Sequence, residues 1–448
     1  MIWLFVVGTL LRELVRTFLV PLRLLAYLPF RHHWRRVAKD VLAEMAQADA
    51  AAATSDLREF FAKRRPGRGA RPHLFVSAGE ASGEQHAARL VQALPATVRT
   101  TAFGGHVLAD VGALVRVQLS EHAVMGVRGV CKQLPLLLRA FADFLRLLRD
   151  DPPDLIVLVD YPGLHLVMAK AAKRRGIPVL HYVAPQYWAW GPWRMRRYRR
   201  AVDATLTILP FETAFFRRFR VPASYIGHPL LDDLATSPPD AGAVAAVRAT
   251  RTLVLLPGSR SAEITNNLPG MLTIAKALRA RDPQLRVVAP HKNPRRTALI
   301  RELLAQHDAA FVEHHEGPLA TWLAGAHLIL AKSGTGSLEA CLHGVPTIVV
   351  YQLHGMLSTL GYHNILSVPW IAAANLIAGQ RVVPEHCFAG ERGWQRVQQE
   401  AERLWSDEGA REAAIAGLTV VRRRLGQPGA TARVAHIVRT FLQLEGKP

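Results

Sequence analysis

Asp160 closes the apolar run 155–160 and precedes Tyr161, Pro162 and Gly163. A carboxylate at the carboxyl end of a buried strand stands where open α/β sheets hold their ligands, and there it can take a proton from a substrate hydroxyl. The same residue types also make ordinary turns, with the aspartate capping the turn that follows. Further along, the apolar run 328–331 feeds Lys332, Ser333, Gly334, Thr335, Gly336 and Ser337 into a helical pattern. Backbone amides and the dipole at such a helix start can hold a diphosphate. Glu339, in the first turns, can accept hydrogen bonds from ribose hydroxyls; the alternative is a capped helix with a solvent-facing glutamate. Arg260 lies in the loop after the run 252–256, and its planar fork matches a phosphate, the alternative being a hydrated surface arginine. Trp188 and Trp190 follow the run 179–183. They read either as walls of a ligand cleft or as core volume, which is what most tryptophans supply.

These residues need elements to hold them. From Pro72 onward, short apolar runs alternate with helical patterns, which is the signature of βα units wound around parallel sheets. The run 73–77 leads into a turn, 78–84, whose glycines permit tight geometry, and a helix beginning near Gln85. The pattern repeats from 252, with a helix expected over 271–279. Two consecutive doubly wound halves, each with a glycine-bearing loop, predict a cleft between domains.

The first residues differ. Residues 1–11 are uncharged and mostly apolar, but Arg12, Glu13, Arg16 and Arg23 leave no run near the ~20 residues that span a bilayer. The charges gather on one helical face, which suits a helix lying in a membrane interface and bent at Pro21, with Arg31, His32, His33, Trp34, Arg35 and Arg36 facing anionic headgroups. A signal segment and an ordinary packing helix compete with that reading. Residues 50–72 read as a linker. The chain of 448 residues is half apolar and carries a formal net charge of +21, with a pI near 10.8. That balance attracts phosphates, nucleic acid or an acidic lipid surface without choosing among them. Arg194, Arg196, Arg197, Arg199 and Arg200 could track a phosphate backbone, but no nucleic-acid module accompanies them, so no nucleic acid is expected. Cys131, Cys341 and Cys387 lie far apart without metal-ligand spacing, and a reducing cytosol is the default.

Several segments together resemble the lipid A disaccharide synthase family: 77–83 (Ser-Ala-Gly-Glu-Ala-Ser-Gly), 122–126, 181–183 with 188–190, 209–212, 227–229, 256–260 (Leu-Pro-Gly-Ser-Arg), 333–335 with 338–340, and 375–379. The matches run collinearly from Pro72 to the C-terminus. The resemblance implies an α/β GT-B glycosyltransferase of two Rossmann-like domains. It would join UDP-2,3-diacylglucosamine to 2,3-diacylglucosamine 1-phosphate with inversion, giving a β-1,6-linked disaccharide phosphate and UDP. It implies Asp160 as the base and Glu80 as an essential acid used in acceptor binding or catalysis. Arg260, Glu339 and Asn375 would serve the UDP-sugar site, with Ser333, Gly334 and Thr335 as its loop. No metal or cofactor is expected, since no Asp-x-Asp motif is evident; arginine and helix-start amides would meet the diphosphate charge.

The expected division is an N-terminal extension and linker, 1–71; an acceptor-binding domain, 72–240; a UDP-sugar domain, 241–375; and C-terminal helices, 376–448, packing back on the first domain. Expected partners are the UDP-sugar, an acylated sugar phosphate and a membrane surface, with a homodimer that exchanges C-terminal parts. The expected location is the cytoplasm, peripheral on the inner face of the cytoplasmic membrane. Two departures stand out: Arg128 and Gly129 where the family usually has an acidic residue, and Tyr161, Pro162, Gly163, Leu164 and His165 where it usually has Ala-Pro-Asp-Phe-Asn. They motivate a second reading with a different lipid or sugar acceptor. A non-catalytic nucleotide- or lipid-binding protein is the third.

Overall fold

The computed structural model describes residues 8, 12, 15, 19, 22, 26–47, 57–63, 71–120, 127–353, 359, 362 and 364–444. The amphipathic stretch expected over residues 1–23 lies largely outside these, as do the 122–126 segment, most of the linker and the side chain of Arg128. The described residues fall into two compact units, the first within Met1–Val41, Ala51–Asp232 and Gln427–Pro448, the second within Leu42–Ala50 and Asp233–Gly426.

The first unit is built on a seven-stranded sheet of β1 (His73–Ala78), β2 (Arg99–Gly104), β3 (Leu114–Gln118), β4 (Leu155–Val159), β5 (Val179–Tyr182), β6 (Ala204–Thr207) and β7 (Ala223–Tyr225). The order is β3-β2-β1-β4-β5-β6-β7, and every pair is parallel. Leu155, Ile156, Val157, Leu158 and Val159 are all fully buried, as a strand covered by helices on both faces requires. The helix Ala430–Leu442 closes this unit. Its free N-terminal amides are met by the Asp232 carboxylate, which accepts from the N–H groups of Gly429, Ala430 and Thr431 at 2.6, 3.0 and 2.9 Å. Phe441 then stacks on Phe60, centroids 4.6 Å apart.

The helix Arg31–Gln47 carries the basic cluster. His32, His33 and Arg36 are exposed, but Trp34 is half-buried and stacks on Phe219 at 5.7 Å. Trp34 therefore packs within the protein, whereas the sequence reading turned it to the membrane interface. Burial of a large apolar ring against Phe219 accounts for the difference. Among the described residues no helix is long and apolar enough to cross a membrane.

The second unit holds a six-stranded parallel sheet of β8 (Thr252–Leu256), β9 (Arg286–His291), β10 (Val312–Glu316), β11 (Leu328–Lys332), β12 (Thr347–Leu353) and β13 (Glu385–Ala389), ordered β10-β9-β8-β11-β12-β13. The helix Ser261–Arg281 runs straight through Pro269 and Gly270, where the sequence reading began a helix at Met271. Gly270 is there for packing: a Cβ would lie inside the indole of Trp394. Trp394 belongs to the helix Arg392–Ser406, which with Glu408–Leu425 lies in the second unit. The C-terminal segment is thus divided between the units, because Trp394 and Trp405 bury themselves in the second core while Phe441 serves the first. Gly270→Ala should destabilise the second unit by about 1–3 kcal/mol through overpacking. Urea unfolding followed by tryptophan fluorescence checks this, and an unchanged midpoint would refute it.

Candidate active site

In the first sheet the strand order reverses between β1 and β4. Helices leaving adjacent strands to opposite sides open a crevice at the carboxyl ends, the usual ligand position in such sheets. The register places Ala78 opposite Val159, so Gly79 and Glu80 leave the sheet beside Asp160 and Tyr161. The Tyr161 ring lies directly on Gly79, where any Cβ would collide with it. This close approach requires glycine.

Two glutamates follow, with different work. Glu84 is buried and accepts from the N–H groups of Gly105 and Leu108 at 2.8 and 3.1 Å and from the Ser120 hydroxyl, so it ties the loop after β2 to this helix. Glu80 is the N-cap residue of Ala81–Gln92 in extended backbone, and its side chain makes no capping bond. Its charge is felt by Asp160. Burial, and then the repulsion of Glu80, raise the Asp160 carboxyl to about 6, against an opposing hydrogen bond from the Tyr161 N–H. Asp160 is therefore ionised at neutral pH yet more basic than an exposed carboxylate, as a general base should be.

The backbone is unusual here. Asp160 (φ 52°) and Tyr161 (φ 47°) are both left-handed, and so is the β-branched Val183 (φ 60°) just past β5. Non-glycine residues adopt this conformation at a cost of roughly 1–2 kcal/mol each, and surrounding contacts must enforce it. Two buried histidines meet the turn at Asp160. The Asp160 carbonyl is approached by His165 Nδ1 at 2.7 Å and His181 Nε2 at 3.0 Å, while the Asp160 N–H donates to Tyr182 O at 3.0 Å. Neither histidine was given a part beforehand, although His181 lay in the resembling segment 181–183 and His165 marked one of the departures from the family pattern.

The tryptophans part company. Trp188 is buried, lies edge-on to Phe211 at 4.8 Å, and donates its indole N–H to Glu212 Oε1 at 3.0 Å. Glu212 also accepts from the N–H groups of Ile208 and Leu209, and burial pushes its carboxyl up to about 7 against those bonds. Trp190 is 39% exposed.

In the second sheet the order reverses between β8 and β11. Leu256 pairs with Ala331, so the loop carrying Arg260 and the loop 333–335 leave side by side. Arg260 caps the helix Ser261–Arg281 with its backbone; its exposed guanidinium donates to Glu263 Oε1 at 3.2 Å. Lys332 Nζ reaches the same oxygen at 3.0 Å. Burial works to raise Glu263, but Lys332 and the N–H groups of Ser259 and Arg260 prevail and hold it below the usual range. Gly334 and Thr335 are exposed at the start of Thr335–Leu342, and Ser333 donates to Ile371 O at 3.2 Å. Glu339 is nearly buried and paired with Lys292, whose Nζ lies 3.1 and 3.0 Å from its two oxygens. Lys292 and Glu263 were given no part in the sequence reading, and Lys332 was read only as the lead into its loop; each is a single charge at or near an element's end.

Asn375 is fully buried, and its amide is committed within the protein. It donates to Val383 O and Glu385 Oε2, both at 3.0 Å, and accepts from the N–H groups of Val382 and Val383 at 2.7 and 2.9 Å. Glu385 in turn accepts from Ile371 and Ala372, so Asn375 braces the segment that Ser333 touches. Among the described residues no three His, Cys, Asp or Glu side chains gather where they could hold a metal ion.

The model of one family, described as lipid-A-disaccharide synthetase, matches residues 74–425 and so takes in both switch points. The chain belongs to that family. Lipid-A-disaccharide synthases from Acidobacterium capsulatum and Myxococcus xanthus are each 37% identical to it, over 83% of this chain and 97% and 98% of theirs; that of Geobacter metallireducens is 35% identical over 84% and 97%. As a member of that family it is an enzyme, a glycosyltransferase of lipid A synthesis. Solved structures agree on the fold. The S. aureus MnaA–UDP co-structure and the Neisseria meningitidis UDP-GlcNAc 2-epimerase bound to UDP-GlcNAc each align with a TM-score of 0.56 at 14% identity, covering 84% and 82% of this chain and 98% and 99% of theirs. The two Rossmann-like units are those of a GT-B protein.

Proposed function

We propose that this enzyme transfers 2,3-diacylglucosamine from its UDP derivative to the 6-hydroxyl of 2,3-diacylglucosamine 1-phosphate with inversion at C1. One observation carries the reading: both sets of motif residues leave their sheets at the strand-order reversals, acids at one and cations with a helix start at the other. Asp160 takes the proton from the acceptor hydroxyl as that oxygen attacks C1. The C1–O bond to the diphosphate breaks, and UDP leaves with the electron pair on the face opposite the attack. Charge growing on the diphosphate is met by the Thr335 amide at the helix start and by Arg260 and Lys332. Glu80 holds the acceptor beside Asp160. Glu339, released from Lys292, accepts from ribose hydroxyls, while Asn375 acts through the segment it braces.

The acyl chains of both substrates favour work at a lipid surface, and the exposed Arg36 and Lys39 supply an electrostatic attraction to the inner face of the cytoplasmic membrane. A homodimer belongs to the same reading. The test is the mass of the product from defined UDP-diacylglucosamine and a panel of acylated monosaccharide phosphates. A disaccharide phosphate from the diacylglucosamine 1-phosphate supports the reading. Product only from another acceptor replaces it with the altered-acceptor reading, for which the changed residues 161–165 are the motive.

A further inference from the structure

The mechanism uses the carboxylate of Asp160 and leaves the two imidazoles beneath it without a part. Both are buried among apolar and aromatic side chains. Desolvation, with mutual repulsion for His165, pulls their pKa values to about 3 for His165 and about 4 for His181, so both are neutral where the enzyme works. A carbonyl oxygen only accepts, and this fixes both tautomers. His165 carries its proton on Nδ1, which leaves Nε2 to accept from the Ser77 hydroxyl at 2.8 Å; His181 carries its proton on Nε2. His181 Nδ1 is left buried with no hydrogen-bond partner among the described residues. A buried acceptor left unmet is unfavourable, and it is tolerated here beside a bond that the other nitrogen makes to Asp160.

We infer that His165 and His181 are positioning residues whose N–H groups clasp the Asp160 carbonyl and hold the left-handed turn from which its carboxylate meets the acceptor hydroxyl. The inference rests on the reading of Asp160 as the base. Both lone pairs of the carbonyl are taken, the N–H is fixed to Tyr182, and Ser77 locks the tautomer of His165. The Tyr161 ring, edge-on to His165 at 5.6 Å and resting on Gly79, closes the arrangement from the other side. The charged and titratable groups that bear on Asp160 from the packed elements are Glu80, Tyr161 and Glu212. Where the family pattern has Asn, this chain has His165. The two are equivalent at one atom, since Asn Nδ2 and His Nδ1 sit the same number of bonds from Cβ. Gln Nε2 likewise coincides with His Nε2.

That equivalence sets the experiment, run on the full chain with the diacylated substrates. His165→Asn and His181→Gln keep a donor at the required atom, whereas His165→Leu and His181→Leu remove it. The Leu variants should lose about 100-fold in kcat with the KM for the UDP-sugar unchanged, as expected when a reacting group is displaced by an ångström. Their acid limb should move down toward the ordinary carboxylate range as Asp160 slips from its buried position. The amide variants should stay within about threefold of wild type. Circular dichroism checks folding, and if the Leu variants do not fold, His165→Gln, which moves the donor one bond too far, takes their place and should lose kcat where His165→Asn does not. Folded Leu variants with wild-type kcat and acid limb, or amide variants as impaired as the Leu ones, would overturn the clasp. Asp160→Asn is assayed alongside: full activity there sinks the base reading itself, whatever the histidines do.

Discussion

Asp160→Asn should cut kcat by about 10³-fold while leaving both KM values near wild type, because the amide keeps the shape of the carboxylate and cannot take a proton. In the wild type, kcat/KM should rise about tenfold per pH unit up to about 6, where Asp160 ionises, and then level off. Glu80→Gln removes a like charge from beside Asp160. The carboxylate becomes easier to form, its pKa falls, and the acid limb should move to lower pH. UDP release followed between pH 5 and 8 reads both effects.

Stability gives an independent check. The folded pKa of Asp160 is raised above its unfolded value, so its contribution is present below the ordinary carboxylate range and is lost as pH rises through about 6. At pH 7 the ionised form is the unfavourable one, and Asp160→Asn should unfold at a temperature no lower than wild type. A mutant that is inactive and also less stable would mean that Asp160 had been holding the fold. Undiminished turnover in a folded Asp160→Asn would remove it from the chemistry.

How far the site could be read beforehand depended on what kind of signal each residue leaves. Strands with both faces covered must be continuously apolar, so 155–159 and 252–256 announced themselves, and the residues just past them followed. The left-handed turn at Asp160 and Tyr161 was invisible, since no glycine or asparagine marks it; the contacts that hold it come from His165, five residues on, and His181, twenty-one residues on. The helix start at Ala81 came earlier than the expected Gln85 because Gly83 reads as a turn residue, although here it packs against β4 inside a helix. Gly270 misled in the same way, for a glycine that admits a tryptophan cannot be told from a helix breaker by sequence. Trp188 shows the opposite ambiguity. Its place after β5 drew attention as a cleft wall, yet its indole N–H is spent on Glu212 within the core. The resemblance assigned Asn375 to the nucleotide site, and the structure shows its amide making four bonds to backbone and carboxylate groups, which residue type alone could not reveal.

For Arg260→Met we expect a fall of about 100-fold in kcat/KM for the UDP-sugar and a parallel weakening of UDP itself, with stability unchanged. The guanidinium is half exposed, and the helix cap is made by the backbone N–H groups of Ser259 and Arg260 on Glu263, so the substitution leaves the cap in place. What it removes is one of two cations that Glu263 holds at the start of Ser261–Arg281, the other being Lys332. Both are paired to a single carboxylate oxygen, and a diphosphate offering several oxygens would compete for both. Arg260→Lys should recover only part of the loss, because a point charge does not reproduce the two-pronged contact. Glu263→Gln separates charge from placement: its amide oxygen can still cap the helix, but the ion pairs weaken. If Glu263 mainly positions the cations, this variant should bind UDP less well despite having one negative charge fewer. Titration calorimetry with UDP in low and physiological salt reads all three variants, and Arg260→Met with wild-type UDP affinity would take this loop out of the nucleotide site.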